Sequence, residues 1–260
     1  MSLPRRELVM TTNLVYLEQL RRSLVIAKKD LRIYYSKAPV VLGGLLIPAF
    51  LFLAFSIGKD VSLKALVPGL LGITVFAAST SLTPVVAPWE TMSRTLERLI
   101  SCPISTSTII FGDMLASCMF GLAICVIPIL VGVVTGVSIT YPLVLAVAIL
   151  LATLCFSSLG LMFSSPPTGM PQSAQMLSAV VRFPLIFISG IFTPLAEMAT
   201  WGRGLAAISP LTYFTDLARH CLEGISYHPL WLDLLVLLIF TVLFLVVAMK
   251  LHERSMLKRL

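Results

Sequence analysis

Charge is what this chain has least of, and that scarcity excludes most ordinary folds. Only 12% of its 260 residues are Asp, Glu, Lys or Arg, while 58% are hydrophobic, and the mean hydropathy is +0.98. An average soluble domain has about 25% charged residues and about 45–50% apolar ones. Apolar runs of about 20 residues without a charged face do not fit inside a water-soluble core of this size, so water is not the main solvent.

Further absences narrow the chemistry. No GxxxxGK[ST] occurs, and the Gly58-Lys59 pair is not followed by Ser or Thr, so no P-loop is present to cradle a nucleotide phosphate. The three histidines, His220, His228 and His252, form no HExxH, and there is no GxSxG elbow, so the chain is not expected to be an enzyme. Five cysteines (Cys102, Cys118, Cys125, Cys155, Cys221) lack CxxC spacing and indicate neither a metal site nor a disulfide framework. Arg5 and Arg6 are followed by no apolar run until about Val40, so the pattern of a secretory signal is missing and insertion is expected to use the first internal span.

What is present is a set of six charge-poor runs, each long enough to cross about 30 Å of hydrocarbon. They are Pro39–Ile57, Ala65–Ala87, Ile109–Val134, Pro142–Phe163, Ala174–Phe192 and Leu230–Met249. One side of this layout holds Arg5, Arg6, Arg21, Arg22, Lys28, Lys29, Arg32 and Lys37, then Arg94 and Arg98, then Lys250, Arg254, Lys258 and Arg259. The other side holds Lys59, Lys64, Arg203 and Arg219, with Arg182 inside the fifth run. The positive-inside rule puts both termini in the cytoplasm. The net charge of +7 and the pI near 9.4 follow from these flanking cations and their contacts with anionic lipid, with no nucleic acid required.

Two stretches between or beside the spans are amphipathic. Leu14, Leu17, Leu20, Leu24, Ala27, Leu31 and Tyr34 form a stripe beside Arg21, Arg22, Lys28, Lys29 and Arg32, which reads as an interfacial helix, the alternative being a solvated helix against a partner. In Thr193–Pro229, Leu195, Met198, Trp201, Leu205 and Ile208 recur at helical spacing, Ser209-Pro210 breaks the pattern, and Phe214, Leu217, Cys221 and Ile225 start a second stripe. Its longest charge-free run is too short to cross, so two short re-entrant helices are expected.

Inside the spans, Pro48, Pro68, Pro84, Pro128 and Pro184 predict kinks, and Gly132 with Gly136 a small-residue packing face. Arg182 is the one deep cation. It is read either as a contact for an anionic group on a substrate path or as a structural partner of Asp113, Asp233 or helix carbonyls. The loop Trp89–Thr108 predicts a short helix ended by Pro103, with Leu96, Leu99 and Ile100 as an apolar ridge for a cytoplasmic partner's groove.

Glu90 with Arg94, Thr95, Leu96, Glu97, Arg98, Leu99 and Pro103 resembles the coupling-helix loop of the ABC-2 type transporter permeases, of the drug, nodulation-factor and polysaccharide exporter kind. Gly190, Pro194, Trp201, Pro210, Tyr213, Asp216 and Arg219 resemble that family's outer segment, with Ala199 and Ser209 where the family often has proline and asparagine. The resemblance implies an all-α integral membrane protein of the cell membrane. It would be a single transmembrane permease domain over 1–260, with an interfacial segment 1–38, a six-span bundle 39–249 and a cytoplasmic tail 250–260. It also implies a second permease copy, most simply a homodimer, and a separate ABC ATPase subunit that binds ATP and Mg. No cofactor or metal is expected in this chain. The expected cargo is an amphipathic or hydrophobic molecule such as a drug, lipid or glycoconjugate; the alternative is an ATP-independent secondary transporter or channel.

Overall fold

A computed structural model of the protein describes residues 5–37, 40–42, 44, 46, 48–50, 53–54, 63–102, 104–166 and 170–259. No strand occurs among them, and the described positions from 40 to 54 are helical. Helix α1 (Arg5–Asp30) runs into a single π-type turn, Leu31–Tyr35, and is followed further on by α2 (Leu63–Thr80), α3 (Thr83–Met92) and the short α4 (Thr95–Ile100). Then come α5 (Thr106–Ile124), α6 (Val126–Val134), α7 (Pro142–Ser164) and α8 (Pro171–Ile188). The chain closes with α9 (Thr200–Ala206), α10 (Pro210–Glu223) and α11 (Leu230–Arg259).

Among the described residues, four helical stretches are long and apolar enough to cross a membrane: Lys64–Met92, Thr106–Val134, Pro142–Ser164 and Leu230–Ser255. Two of them are broken where proline dictates. Pro84 has no N–H for the Thr80 carbonyl, and the helix opens at Ser81-Leu82; Pro128 stands in the same relation to Ile124, and the break falls at Cys125. The expected first span, Pro39–Ile57, lies largely outside the described residues. The expected fifth, Ala174–Phe192, forms α8, about 27 Å long at 1.5 Å per residue. Gln172, Ser173, Gln175, Ser178 and Arg182 keep α8 less apolar than the four. The sixth run continues as helix to Arg259, beyond the expected end at Met249, and buried His252 meets the Ser165 hydroxyl at 2.8 Å, so one face of this extension rests on the bundle.

Helix α7 is the centre of the bundle, packed by α2, α3, α5, α10 and α11. Phe76, Phe156 and Phe214 mesh edge-to-face there, with centroids 5.0 and 6.1 Å apart, and lock α2, α7 and α10 together. Helix α10 is buried at every residue from Pro210 to Arg219, polar ones included. Of the two short re-entrant helices expected between the fifth and sixth runs, α10 is an internal one over these residues. Gly136, expected on a packing face with Gly132, lies past the end of α6 with φ +79°, where it makes a left-handed turn; Gly132 alone sits against Val67.

Helix α1 lies along α5. Ser23, Ile26, Ala27 and Asp30 face the protein, while Leu20, Leu24 and Val25 are exposed, so the predicted stripe splits between two surroundings. The Ser23 hydroxyl donates to the Thr108 carbonyl at 3.0 Å, and the Gln19 amide meets the Thr108 hydroxyl. Close approach is possible because residue 112 is glycine. A Cβ there would stand 2.6 Å from Ile26 and 3.1 Å from the Ser23 carbonyl. Gly112→Val is therefore expected to push α1 off α5 at a cost of about 1–3 kcal/mol. The expected readout is a lower melting temperature in detergent, together with faster proteolysis within 5–30.

Candidate functional site

The two ends of the bundle and the break between them gather the side chains that sequence reading singled out. At the first end, α3 stops at Met92 and the chain turns through Ser93 and Arg94, whose φ of 55° is left-handed, into α4. Glu90 is buried, 1% exposed, and pairs with Lys29 of α1. Lys29 also meets Asp30 at 3.0 Å, and Asp113 of α5 lies beside Asp30. Burial opposes the charge on the Lys29 ammonium, but Asp30 and Glu90 outweigh it and raise its pKa above the ordinary lysine value. Lys29 therefore points inward, a correction to its reading as part of a basic lipid-facing flank. One cation pairs with two carboxylates, Asp30 and Glu90, and a third, Asp113, lies against Asp30, with Tyr34 stacked on Trp89 at 5.6 Å beside them.

Of the expected apolar ridge of α4, Leu96 turns inward, while the side chain of Ile100 lies outside the described ones. Leu96 is 3% exposed and packs on Ile26 of α1 and Ile109 of α5, with Leu99 and Ile104 against them. A partner cannot take up a side chain already buried in its own subunit. What α4 leaves outward is Arg94, Glu97 and Arg98, next to exposed Met92. Thr95 turns its hydroxyl back to the Glu90 carbonyl at 3.3 Å, and Pro103 lies outside the described residues. Between α1 and α4 opens a groove of about 490 Å³, lined by Glu18, Arg21, Arg22, Val25, Lys29 and Leu99.

Deeper in the bundle, Arg182 of α8 reaches the break between α2 and α3. Its Nη1 donates to the Thr80 carbonyl at 3.4 Å, the acceptor that Pro84 leaves without a helical N–H. The preceding carbonyl, Ser79, accepts from the hydroxyls of Thr83, at 3.0 Å, and Ser117. Of the partners open to Arg182 in the sequence, a helix carbonyl is thus the contact made. A cleft of about 510 Å³ lies alongside, between Ser81, Leu82, Val85 and Trp89 and the facing Gln172, Gln175 and Met176.

At the opposite end, the hydroxyls of Thr212 and Tyr213 donate to the carbonyls of Ala206 and Ala207 at 2.6 and 3.0 Å, satisfying the end of α9. Arg219, 8% exposed, donates to the carbonyls of Gly190 and Ile191 at 2.8 and 3.3 Å and so ties down the turn that follows α8. Asp216 accepts the backbone N–H groups of Tyr227 and His228. Gly190, Pro210, Tyr213, Asp216 and Arg219 are brought together around α10. Pro194 only leads into a turn of 3₁₀ helix, and Trp201 stands apart, 75% exposed.

A family model described as ABC-2 type transporter matches residues 19–222, from the buried face of α1 through α10. The chain belongs to the ABC-2 type transporter family. ABC transporter G family member 20 of Dictyostelium discoideum is 28% identical over 197 residues, 73% of this chain and 27% of that protein. Inner membrane transport permease YadH of Escherichia coli K12 is 23% identical over 200 residues, 74% of this chain and 75% of the permease. The chain thus spans about a quarter of the length of the Dictyostelium relative. As an ABC-2 type permease, the protein is a multi-pass membrane protein of transport, and the geometry above describes how its helices are tied.

Sequence reading missed Lys29, Asp30 and Asp113 as a unit. The available signals were an aspartate in a basic run and another in an apolar one. Replacing Lys29 strands the buried carboxylates, so Lys29→Met is expected to destabilise the permease by about 3 kcal/mol, the lower end for a broken buried pair. Adding Glu90→Gln is expected to recover part of that loss in a double-mutant cycle read by thermal unfolding in detergent.

Proposed function

We propose that this permease is the membrane subunit of an exporter driven by ATP hydrolysed on a separate ABC ATPase subunit, with α4 as the docking and coupling element. The observation that carries this is the corner from Glu90 to Leu99. Its buried side is fastened to α1 and α5 through Lys29 and Leu96, while Arg94, Glu97 and Arg98 stand outward. A short helix fixed to two neighbours transmits force, and outward charges give a polar docking contact in place of an apolar ridge.

In this reading, residues 1–260 make one permease domain of six spans, with the run from 39 to 57 as the first, α8 as the fifth and both termini cytoplasmic. Residues 1–38 lie at the cytoplasmic interface, the lipid-facing side of α1 being Leu20, Leu24 and Val25. The fourteen-to-four distribution of basic residues supports the orientation. ATP and Mg belong to the partner. A push on α4 tilts α3, and the break at Ser81-Leu82 lets α3 move against α2, widening the cleft towards α8. Met176, Val180, Phe183 and Phe187 recur on one exposed face of α8, which suits a second permease copy, with Arg182 and the cleft beside the path between the copies. Largely apolar walls suit an amphipathic or hydrophobic cargo such as a drug, lipid or glycoconjugate.

The test uses the permease co-expressed with its ATPase and reconstituted in vesicles. Glu97→Lys with Arg98→Glu is expected to keep the melting temperature but reduce substrate-stimulated ATP hydrolysis at least about tenfold, a loss of about 1.4 kcal/mol of coupling. Leu96→Ala is expected instead to lower stability by about 2–5 kcal/mol. Unchanged stimulation in the charge-swapped variant refutes the docking role, and transport driven by an ion gradient without any ATPase refutes the exporter.

A further inference from the structure

At the end of the bundle away from α4, one cluster is not explained by packing or by coupling. Asp216 of α10, Asp233 in the first turn of α11 and His228 in the connection between them offer one ligand atom each, all within 4.8 Å of one another. His228 Nδ1 is 3.4 Å from Asp216 Oδ2 and 3.5 Å from Asp233 Oδ1. Asp233 is 0% exposed, and neither of its carboxylate oxygens has a hydrogen-bond partner; His228 Nδ1 has none either. A carboxylate taken out of water without a donor is strongly unfavourable, and such groups are normally paired or hold a metal. Nearby Arg219 is engaged with the carbonyls of Gly190 and Ile191, and Arg203 with those of Ala196 and Met198.

We propose that Asp216, His228 and Asp233 bind a divalent transition-metal cation of the zinc class, which ties α10 to α11. Ligand atoms around a tetrahedral ion with bonds of about 2.0–2.1 Å lie about 3.3–3.4 Å apart, and both distances from His228 match that edge. One imidazole and two carboxylates suit Zn²⁺ better than Ca²⁺ or Mg²⁺, which prefer oxygen throughout. Asp216 is held in place by the Tyr227 and His228 N–H groups, an outer support of the kind metal ligands have. The side chain of His228, 26% exposed between the rings of Tyr213 and Tyr227, provides the way in. Because the three ligands come from α10, its exit and α11, a bound ion resists any separation of those helices.

The site is tested on the full chain, purified without a polyhistidine tag, in a Cys102→Ser background that removes the exposed thiol, and stripped with EDTA. Zn²⁺ is titrated by calorimetry, and Co²⁺ is followed by visible absorption. The expected result is one saturating equivalent of Zn²⁺, intense Co²⁺ bands of four-coordinate geometry, and a higher melting temperature with Zn²⁺. Asp233→Asn and His228→Gln are each expected to weaken binding at least about tenfold. His220→Gln, a neighbouring histidine bonded to Ser226, is expected to leave binding unchanged. No saturable binding by the stripped chain overturns the proposal, as does equal binding in Asp233→Asn and His228→Gln proteins that elute like the parent.

Discussion

Lipid offers no hydrogen bonds, so a helix that breaks inside the bundle must find donors for the carbonyls it frees. In this permease the break at Ser81-Leu82 frees two. Ser117 of α5 and Thr83 of α3 take the Ser79 carbonyl, and Arg182 of α8 takes Thr80. Proline sets the position of the break, but donors from three helices seal it. The arrangement of α2, α3, α5 and α8 around that point is the arrangement that keeps the backbone satisfied.

The same logic runs through both ends of the bundle. Towards α4, Lys29 is raised in proton affinity by Asp30 and Glu90 and binds α1 to α3, while Leu96 buries the short helix against Ile26 and Ile109. A buried ion pair contributes little net stability compared with an apolar replacement, but it is costly to break, which makes it a good way to fix one register between two helices. At the far end, Thr212 and Tyr213 close α9 and Arg219 ties the turn after α8, all from a helix buried from Pro210 to Arg219. The residues of the two family-like motifs are therefore mainly backbone-satisfying groups and anchors, with Arg94, Glu97, Arg98 and Trp201 alone standing outward among the described residues.

Much of the architecture was legible from simple periodicity. The apolar runs from 65 to 87, 109 to 134, 142 to 163 and 230 to 249 correspond to the four long apolar helices, and Ser209-Pro210 marked the start of α10, because run length and proline act locally. The sites were less legible. Leu96 looked like a docking ridge because periodicity tells which residues share a face but not what that face meets. Lys29 looked like a lipid contact for the same reason, since neither its spacing nor its charge announces a partner 61 residues away.

By itself the sequence determined that this chain is a membrane-embedded helical permease of the ABC-2 type, since hydrocarbon length, proline position and the two motifs are properties of consecutive residues. Only the tertiary structure decided that Asp30 and Glu90 share Lys29 with Asp113 alongside, that Arg182 faces a freed carbonyl, and that Asp216, His228 and Asp233 converge. Those arrangements depend on helices meeting in three dimensions, where Gly112 admits α1 to within contact of α5 and desolvation forces each buried polar group to choose a partner.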